Sequence, residues 1–257
     1  KLNPPVYAST SIISPAKKMN QDTDTLECQG LPVFLEKTER LLQWMKELSY
    51  EELKKLWNCS DSIARLNYER IQTMDLRRNL TPALLAYEGI QYQYLAPAVL
   101  EEGALSYLSE NLFILSGFYG ALRAMDGVVP YRLEMQAKGA PKASENLYEF
   151  WKDEIYREVT REDSLIINLA SKEYYRCLEK YRTAATECIT CIFGEWKEGR
   201  VIQKGTQAKM ARGEMVRYLA RKKVQNPEEI KEFCRLGYSF EKSLSSDSQY
   251  VFIKAGR

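Results

Sequence analysis

Short apolar runs of the kind found in buried strands alternate along this 257-residue chain with segments whose apolar residues recur at helical spacing. The strand-like runs are 11–13, 111–115 and 165–169, and the helical segments include 32–48 and 147–159. Because such a mixture buries its apolar faces by packing helices against a sheet, it predicts an α+β (mixed α/β) fold. With 45% hydrophobic residues and no repeat or Ser/Pro-rich linker, we expect a single continuous domain over residues 1–257.

The C-terminal half continues the same mixture of elements. The runs 189–193 and 199–203 predict a β-hairpin with its turn around Glu198-Gly199. Further along, the pattern predicts a long basic helix at 206–223, a helix that opens at Pro227 and a strand at 250–254.

Residues 49–74 predict a helical hairpin. Ser49 and Glu52 have the spacing of a reciprocal capping box, and a second helix follows a polar turn near 58–61. Such a hairpin can be scaffolding for the core, or its turn can offer backbone amides to a phosphate. Because the turn lacks the glycines that let a ligand approach the backbone closely, these residues alone favour scaffolding.

The sequence contains no histidine, and this limits its possible chemistry. Ser-His and Cys-His nucleophiles, imidazole bases and histidine-ligated metal sites are excluded, so carboxylate, lysine, tyrosine and arginine chemistry remains. The 37 Lys and Arg nearly balance the 35 Asp and Glu, and a basic binding site must therefore be a local patch. No segment is apolar enough to span a bilayer, so we expect a cytoplasmic protein without a membrane partner.

Six cysteines are scattered through the chain, and we expect reduced thiols because a chain of this size does not depend on disulfides. Cys188 and Cys191 have the spacing of a metal knuckle or redox pair, yet they fall in a strand-like run, 186–193. Positions three apart in a strand point to opposite faces. We therefore predict no metal site and no other cofactor.

The segment 115–135 combines three glycines with charged side chains in one short connection. The glycines allow tight turns or a close approach to a ligand, while Arg123, Asp126, Arg132 and Glu134 supply charge that packing alone does not require. The segment can present a functional site, or it can be an ordinary strand, turn and strand with one solvated face.

A second charged stretch runs from 197 to 223, where two glutamates oppose the following cations: Lys197, Arg200, Lys204, Lys209, Arg212, Arg217, Arg221, Lys222 and Lys223. On a helix these cations divide between two faces. They form either a solvated helix surface or a surface that binds phosphates, whose oxygens match arginine forks and lysine point charges.

Several blocks in order along nearly the whole chain resemble the YaaA peroxide-stress family. The blocks are 13–17, 115–123 with Asp126, 130–135, 147–151, 167–171 with Glu173-Tyr174, and 208–213. The resemblance implies a one-domain mixed fold, called cantaloupe-like, with a positively charged cleft, a helix-hairpin-helix element and DNA binding tied to oxidative stress. It also shifts the interpretation of the 49–74 hairpin toward a phosphate contact.

Carried over onto this sequence, the resemblance predicts a set of DNA-binding residues, which we extend with neighbouring cations and the hairpin turn. These are Lys17, Lys18, Arg123, Tyr131, Arg132, Asn168, Ser171, Lys204, Lys209, Arg212, Asn58 and Ser60. The fit is imperfect at 86–92, where Glu88 and Gln91 make the site less basic than the family pattern. Residues 1–10 are expected to be an N-terminal extension.

Two functions from different classes follow. The first is a protein that grips double-stranded or branched DNA through about six phosphates, so that log affinity falls with log salt at a slope of about −5. The second is an enzyme on a nucleotide or on a DNA base or sugar, with Lys17 as an imine-forming nucleophile and Asp126 or Glu134 as proton carrier. A third possibility, binding of free iron, has only carboxylates as ligands and is disfavoured.

Overall fold

The computed structural model describes residues 9–255, and a mixed sheet of eight strands lies at its centre. The strands are β1 (Ser9–Ile13), β2 (Lys18–Met19), β3 (Thr81–Pro82), β4 (Tyr87–Glu88), β5 (Leu112–Ser116), β6 (Gly120–Arg123), β7 (Gly127–Val128), β8 (Leu165–Asn168), β9 (Glu187–Lys197), β10 (Arg200–Ile202), β11 (Tyr238–Phe240) and β12 (Gln249–Lys254).

The α-helices of the described residues are α1 (Leu35–Glu47), α2 (Tyr50–Trp57), α3 (Asp61–Thr73), α4 (Ala83–Ala86), α5 (Ile90–Leu95), α6 (Glu102–Asn111), α7 (Leu147–Trp151), α8 (Glu154–Val159), α9 (Lys172–Glu179) and α10 (Gly205–Lys222). Short 3-10 helices lie at Pro97–Val99, Pro227–Glu232 and Lys242–Leu244.

The central sheet has the strand order β11-β12-β9-β8-β1-β5-β6, and β10 pairs with β9 as a hairpin. Five neighbouring strands from β12 to β5 run parallel, while β6 and β11 add to the two edges in the antiparallel sense. β5 and β8 are buried along their whole length, which is typical of parallel strands covered on both faces. The predicted mixed α/β class is confirmed.

The order of the strands reverses at β1. The chain first passes from β1 to β5 on one side, and later adds β8, β9 and β12 on the other side. In open α/β sheets the connections at such a point diverge from the carboxyl ends of the strands and leave a crevice between them. The segments that follow Ile13 of β1 and Asn168 of β8 therefore leave the sheet at the position where a ligand site is expected.

Most of the predicted elements are confirmed. The three strand-like runs lie in β1, β5 and β8, and Glu198 and Gly199 both have left-handed backbone angles in the predicted hairpin turn between β9 and β10. The 49–74 hairpin consists of α2 and α3. Its capping box is formed, since the Glu52 amide donates to Ser49 Oγ (3.3 Å) and the Ser49 amide donates to Glu52 Oε2 (2.7 Å).

Three predictions need correction. The single helix predicted at 147–159 is wrong, because Lys152 adopts a left-handed φ of 50° that separates α7 from α8. Pro227 opens a short 3-10 helix. Of the expected N-terminal extension, Ser9 and Thr10 belong to β1, and residues 1–8 lie outside the described residues.

All six cysteines carry free thiols in this structure, as expected. Cys188 and Cys191 are both buried in β9, where burial raises the pKa of the Cys191 thiol to about 12. Within residues 9–255 no cluster of three or more Cys, Asp or Glu side chains is arranged to hold a metal ion. No helix in that range has the length and apolar character needed to cross a membrane.

Candidate functional site

A cavity of about 430 Å³ opens at the carboxyl ends of β1 and β8, where the strand order reverses. We call it the main cavity. Its walls come from the turn 14–18 after β1, residues 88–92 of β4 and α5, and the segment 131–134. Ser171, Glu173 and Tyr174 at the start of α9, and Lys209 and Arg212 of α10, complete them. Segments that are far apart in sequence thus converge at one site.

Helix α10 reaches this site because it packs very closely against α5. A Cβ atom added to Gly213 would lie 2.0 Å from the backbone oxygen of Gln91 and 3.1 Å from the backbone nitrogen of Leu95. Only glycine permits that approach. Lys209 and Arg212 are three residues apart and so lie on one face of α10, the face that lines the main cavity.

Tyr131 fixes the segment that forms the opposite wall. Its hydroxyl lies 2.6 Å from Ser116 Oγ and 2.8 Å from the hydroxyl of Tyr87, both within hydrogen-bond distance. Burial raises the pKa of Tyr131 to about 12, so its phenol is neutral at physiological pH. Tyr131 therefore acts as a buried anchor, and the residues after it, Arg132 and Glu134, line the main cavity.

Arg132 and Arg212 each bury a guanidinium Nε–H that has no acceptor among residues 9–255. Burial lowers the pKa of Arg212, although a guanidinium remains charged under physiological conditions. A buried donor on a charged group that lacks an acceptor is unfavourable. These two groups are therefore suited to an anionic ligand with oxygen acceptors.

Two lysines at the cavity are held by carboxylates. Lys17 Nζ lies 2.9 Å from Glu134 Oε1, and Lys18 forms an ion pair with Glu88 at 2.5 Å. The Lys17 side chain is 68% exposed, whereas that of Glu134 is only 19% exposed. The more buried carboxylate thus holds a lysine that extends toward solvent. Both ammonium groups stay accessible to a large anion.

The turn that carries these lysines is tied to both neighbouring helices. The Ser171 amide donates to Ser14 Oγ (2.8 Å), and the Ser14 hydroxyl donates to Ser171 Oγ (3.1 Å). Gln91 Nε2 and the Tyr92 hydroxyl donate to the backbone oxygen of Ser14 at 3.1 and 2.9 Å. Gln91, which departs from the expected basic pattern, therefore has a structural bond to the β1 turn.

The charges in the main cavity are mixed but basic in sum. Five cations line it, Lys17, Lys18, Arg132, Lys209 and Arg212, and three carboxylates, Glu88, Glu134 and Glu173. Burial raises the pKa of Glu173, an effect that the charge of Glu134 reinforces, while a hydrogen bond from the Gln136 amide opposes it. Protonation of Glu173, which the raised pKa favours, would increase the net positive charge further.

Seven of the predicted residues line the main cavity: Lys17, Lys18, Tyr131, Arg132, Ser171, Lys209 and Arg212. The others lie elsewhere. Arg123 is on the edge strand β6, where it donates to Glu162 Oε1 (3.0 Å) and stacks over Phe113. Lys204 precedes α10 and forms an ion pair with Glu195 at 2.8 Å. Arg123 and Lys204 therefore lie outside the lining of the main cavity, and each is paired with a carboxylate.

Asp126 and Asn168 stabilise turns outside the cavity lining. Asp126 Oδ2 accepts from the Arg123 amide (2.9 Å). Burial raises the pKa of Asp126 to about 6, although this hydrogen bond lowers it. Asn168 Oδ1 accepts from the Ala170 amide (3.0 Å), and its Nδ2 donates to Thr190 (3.2 Å). Asn168 thereby shapes the chain between β8 and α9, which leads to Ser171.

The turn of the helical hairpin lies close to the main cavity. Asn58 has a left-handed backbone at the end of α2, and Ser60 precedes α3; both are exposed. Burial raises the pKa of the Cys59 thiol between them, and the positive charges of Arg132 and Lys54 oppose that rise. The charge of Arg132, which lines the main cavity, thus acts on Cys59 in the hairpin turn.

Sequence reasoning missed Glu173 as a cavity residue, although Glu173-Tyr174 was part of a quoted block. It lies in the first turn of α9, a helix that is not among the predicted elements. Tyr174 beside it lines the same wall and is buried. Two local signals could have indicated this helix: the capping position of Ser171, and the helical spacing of the apolar residues Tyr174, Cys177 and Leu178.

A family model and several similar proteins all indicate the same family for this chain. A family model described as "Peroxide stress protein YaaA" matches residues 10–244. A UPF0246 protein of Desulfitobacterium hafniense is 55% identical over 244 residues, which are 95% of this chain and 97% of that protein. A UPF0246 protein of Lachnoclostridium phytofermentans is 52% identical over 243 residues, 95% of each chain.

A third relative is similarly close. A UPF0246 protein of Agathobacter rectalis is 55% identical over 241 residues, which cover 94% of this chain and 97% of that protein. These matches extend over almost the whole described structure, including every wall of the main cavity. The chain therefore belongs to the YaaA family of peroxide stress proteins.

Proposed function

We propose that this protein binds DNA through backbone phosphates at the main cavity, as part of the cellular response to peroxide. The observation that carries the proposal is the pair of buried Nε–H groups of Arg132 and Arg212, which lack acceptors within residues 9–255. Phosphate oxygens suit such donors, because charge-assisted bonds to guanidinium groups are among the strongest in proteins. The family match supports the link to peroxide stress.

The lysines extend this interaction beyond the cavity. Lys17 and Lys18 are mostly exposed and attract the charged backbone before contact, while the two arginines make the short-range bonds. Contacts of this kind position DNA without reading its sequence. Double-stranded and branched DNA, which share the same backbone, are both expected ligands, and the cytoplasm is the expected location.

The hairpin of α2 and α3 is a second part of the proposal. We infer that it acts as a helix-hairpin-helix element, with Asn58 and Ser60 in its turn contacting a phosphate. The exposed turn and its closeness to Arg132 support this role. The mixed sheet with helices fits the cantaloupe-like fold that the family resemblance implies.

A binding titration with fluorescently labelled DNA tests the proposal. Arg212→Gln keeps most of the side-chain volume but removes the charge, and we expect it to weaken duplex binding at least tenfold. Arg157→Gln is the matched control, because Arg157 is an exposed arginine of α8, paired with Asp153, outside the cavity lining. Wild-type affinity in Arg212→Gln, with both variants folded, would overturn the proposal.

A second candidate is an enzyme on a nucleotide or on a DNA base or sugar. The observation that favours it is the size of the main cavity, which falls in the range of small-molecule sites, together with carboxylates that phosphate binding does not require. Glu134, which lies 2.9 Å from Lys17, is better placed than Asp126 to exchange a proton with that lysine.

The lysine itself is not in the environment that activates such a nucleophile. Lysines that form imines are usually desolvated, whereas the Lys17 side chain is 68% exposed and ion-paired. Borohydride trapping with abasic DNA tests this candidate directly. A covalent adduct that Lys17→Ala abolishes would support it, and no adduct in the wild type would remove the imine mechanism.

A further inference from the structure

A second cavity, of about 300 Å³, lies beside the main one, and none of the residues that line it is among the predicted DNA-binding residues. We call it the Arg70 cavity. Its walls come from the end of α3, the loop that follows α3, and the segments that contain Gln21 and Val129-Pro130. Two arginines line it, Arg70 and Arg78.

Arg70 is half-buried without a carboxylate partner among the described residues. Its hydrogen bond there is a long one, 3.4 Å from Nη1 to Asn67 Oδ1. Asp75, the acid that lines the same cavity, accepts from the Arg77 amide (2.9 Å) and lies 3.6 Å from Arg78 Nε. Most of the five donors of Arg70 therefore remain free for an anionic ligand.

Two chain segments pass directly from one cavity to the other. Pro130 lines the Arg70 cavity, and the next residue, Tyr131, lines the main cavity. Likewise Lys18 lines the main cavity and Gln21 lines the Arg70 cavity, three residues further on. Three residues span at most about 11 Å. Because a DNA strand rises about 3.4 Å per nucleotide, one strand held at the main cavity reaches the second within a few nucleotides.

We propose that Arg70 and Arg78 bind a backbone phosphate of the same DNA strand, a few nucleotides away from the phosphates that Arg132 and Arg212 hold. The proposal rests on the proposed function and adds a second phosphate subsite to it. The partner is the sugar-phosphate backbone, since guanidinium groups offer planar, paired donors that match phosphate oxygens. The Arg78 side chain is 83% exposed and extends the site toward solvent.

The test compares two ligands of different length, labelled duplex DNA and a nucleoside monophosphate. Arg70→Gln and Arg78→Gln should each weaken duplex binding and make the slope of log affinity against log salt less negative by about 1. Both should leave binding of the monophosphate at the main cavity unchanged, because neither residue lines that cavity. Arg212→Gln should weaken the binding of both ligands, and Arg157→Gln should weaken the binding of neither.

Further comparisons distinguish a failure of the second subsite from a failure of the proposed function. Arg70→Lys keeps the charge and should retain the wild-type salt slope, which distinguishes phosphate binding from a role of Arg70 in stabilising α3. If Arg212→Gln loses duplex binding while Arg70→Gln and Arg78→Gln keep the wild-type affinity and slope, the second subsite is wrong and the proposed function stands. If Arg70→Gln loses only the binding of inorganic phosphate, the cavity holds a free anion and the inference is overturned.

Discussion

Gly213 of α10 lies against the backbone of Gln91 in α5, so closely that an added Cβ atom would stand 2.0 Å from the Gln91 carbonyl oxygen. This contact positions the face of α10 that carries Lys209 and Arg212. It also joins the α10 wall of the main cavity to the wall that holds the β1 turn through Gln91.

Gly213→Ala should therefore destabilise the fold and displace Arg212. Forcing a methyl group into a packed interface costs about 1–3 kcal/mol, which outweighs the gain of up to about 1 kcal/mol from replacing glycine in a helix. Urea denaturation measures the change in the free energy of unfolding. Gly205→Ala, at the start of the same helix with open space around it, is the control and should be neutral or slightly stabilising. Equal effects at both positions would contradict the packing argument.

Asp126 predicts a pH dependence of stability. Burial raises its pKa from 3.8 to about 6, so the folded state binds the proton more tightly than the unfolded state. Its contribution to stability is complete below about pH 4 and is lost as the pH rises through 6. Asp126→Asn should remove this dependence and increase the free energy of unfolding at pH 7 by about 1–3 kcal/mol.

Thermal unfolding between pH 4 and 8 measures that effect. Asp247→Asn is the control, since Asp247 is exposed and should show no change across this window. A destabilised Asp126→Asn at pH 7 would mean that the ionised carboxylate is needed at this turn, where it accepts from the Arg123 amide.

Glu134→Gln should strengthen DNA binding. The substitution removes a negative charge from the main cavity and releases Lys17, which Glu134 holds at 2.9 Å. We expect affinity for duplex DNA to rise severalfold and the salt slope to become more negative by about 1, as one more phosphate is neutralised. Glu187→Gln, an exposed glutamate of β9 outside the cavity, should change neither quantity. Weaker binding by Glu134→Gln would show that the carboxylate contacts the ligand itself.

The elements that local sequence determines were predictable. The capping box of Ser49 and Glu52 and the Glu198-Gly199 turn depend on residues within four positions of each other, and both are formed. The break at Lys152 was not predictable, because the apolar period continues across it while its backbone turns left-handed. Helix α5 was also missed, and its position depends on a tertiary contact with Gly213.

The site could be predicted only in part, for a related reason. Charge patterns in the sequence indicated Arg132 and Arg212, and the family resemblance added Lys17, but no local pattern shows that the turns after β1 and β7 meet α10. Arg123 was indicated by its charged segment and by the resemblance, yet it forms an ion pair at the sheet edge with Glu162, a carboxylate 39 positions away. Which cations remain free for a ligand is decided by strand order and long-range ion pairs, and composition does not contain that information.

The salt dependence of duplex binding by the wild-type protein tests the central claim most directly. Five cations line the main cavity and two of them are paired with carboxylates, so we expect three phosphates to be neutralised there and a fourth at the Arg70 cavity. Log affinity should then fall against log salt with a slope of about −3 to −4, shallower than the −5 expected from the sequence. An affinity that does not change with salt, or no affinity for any form of DNA, would contradict the account.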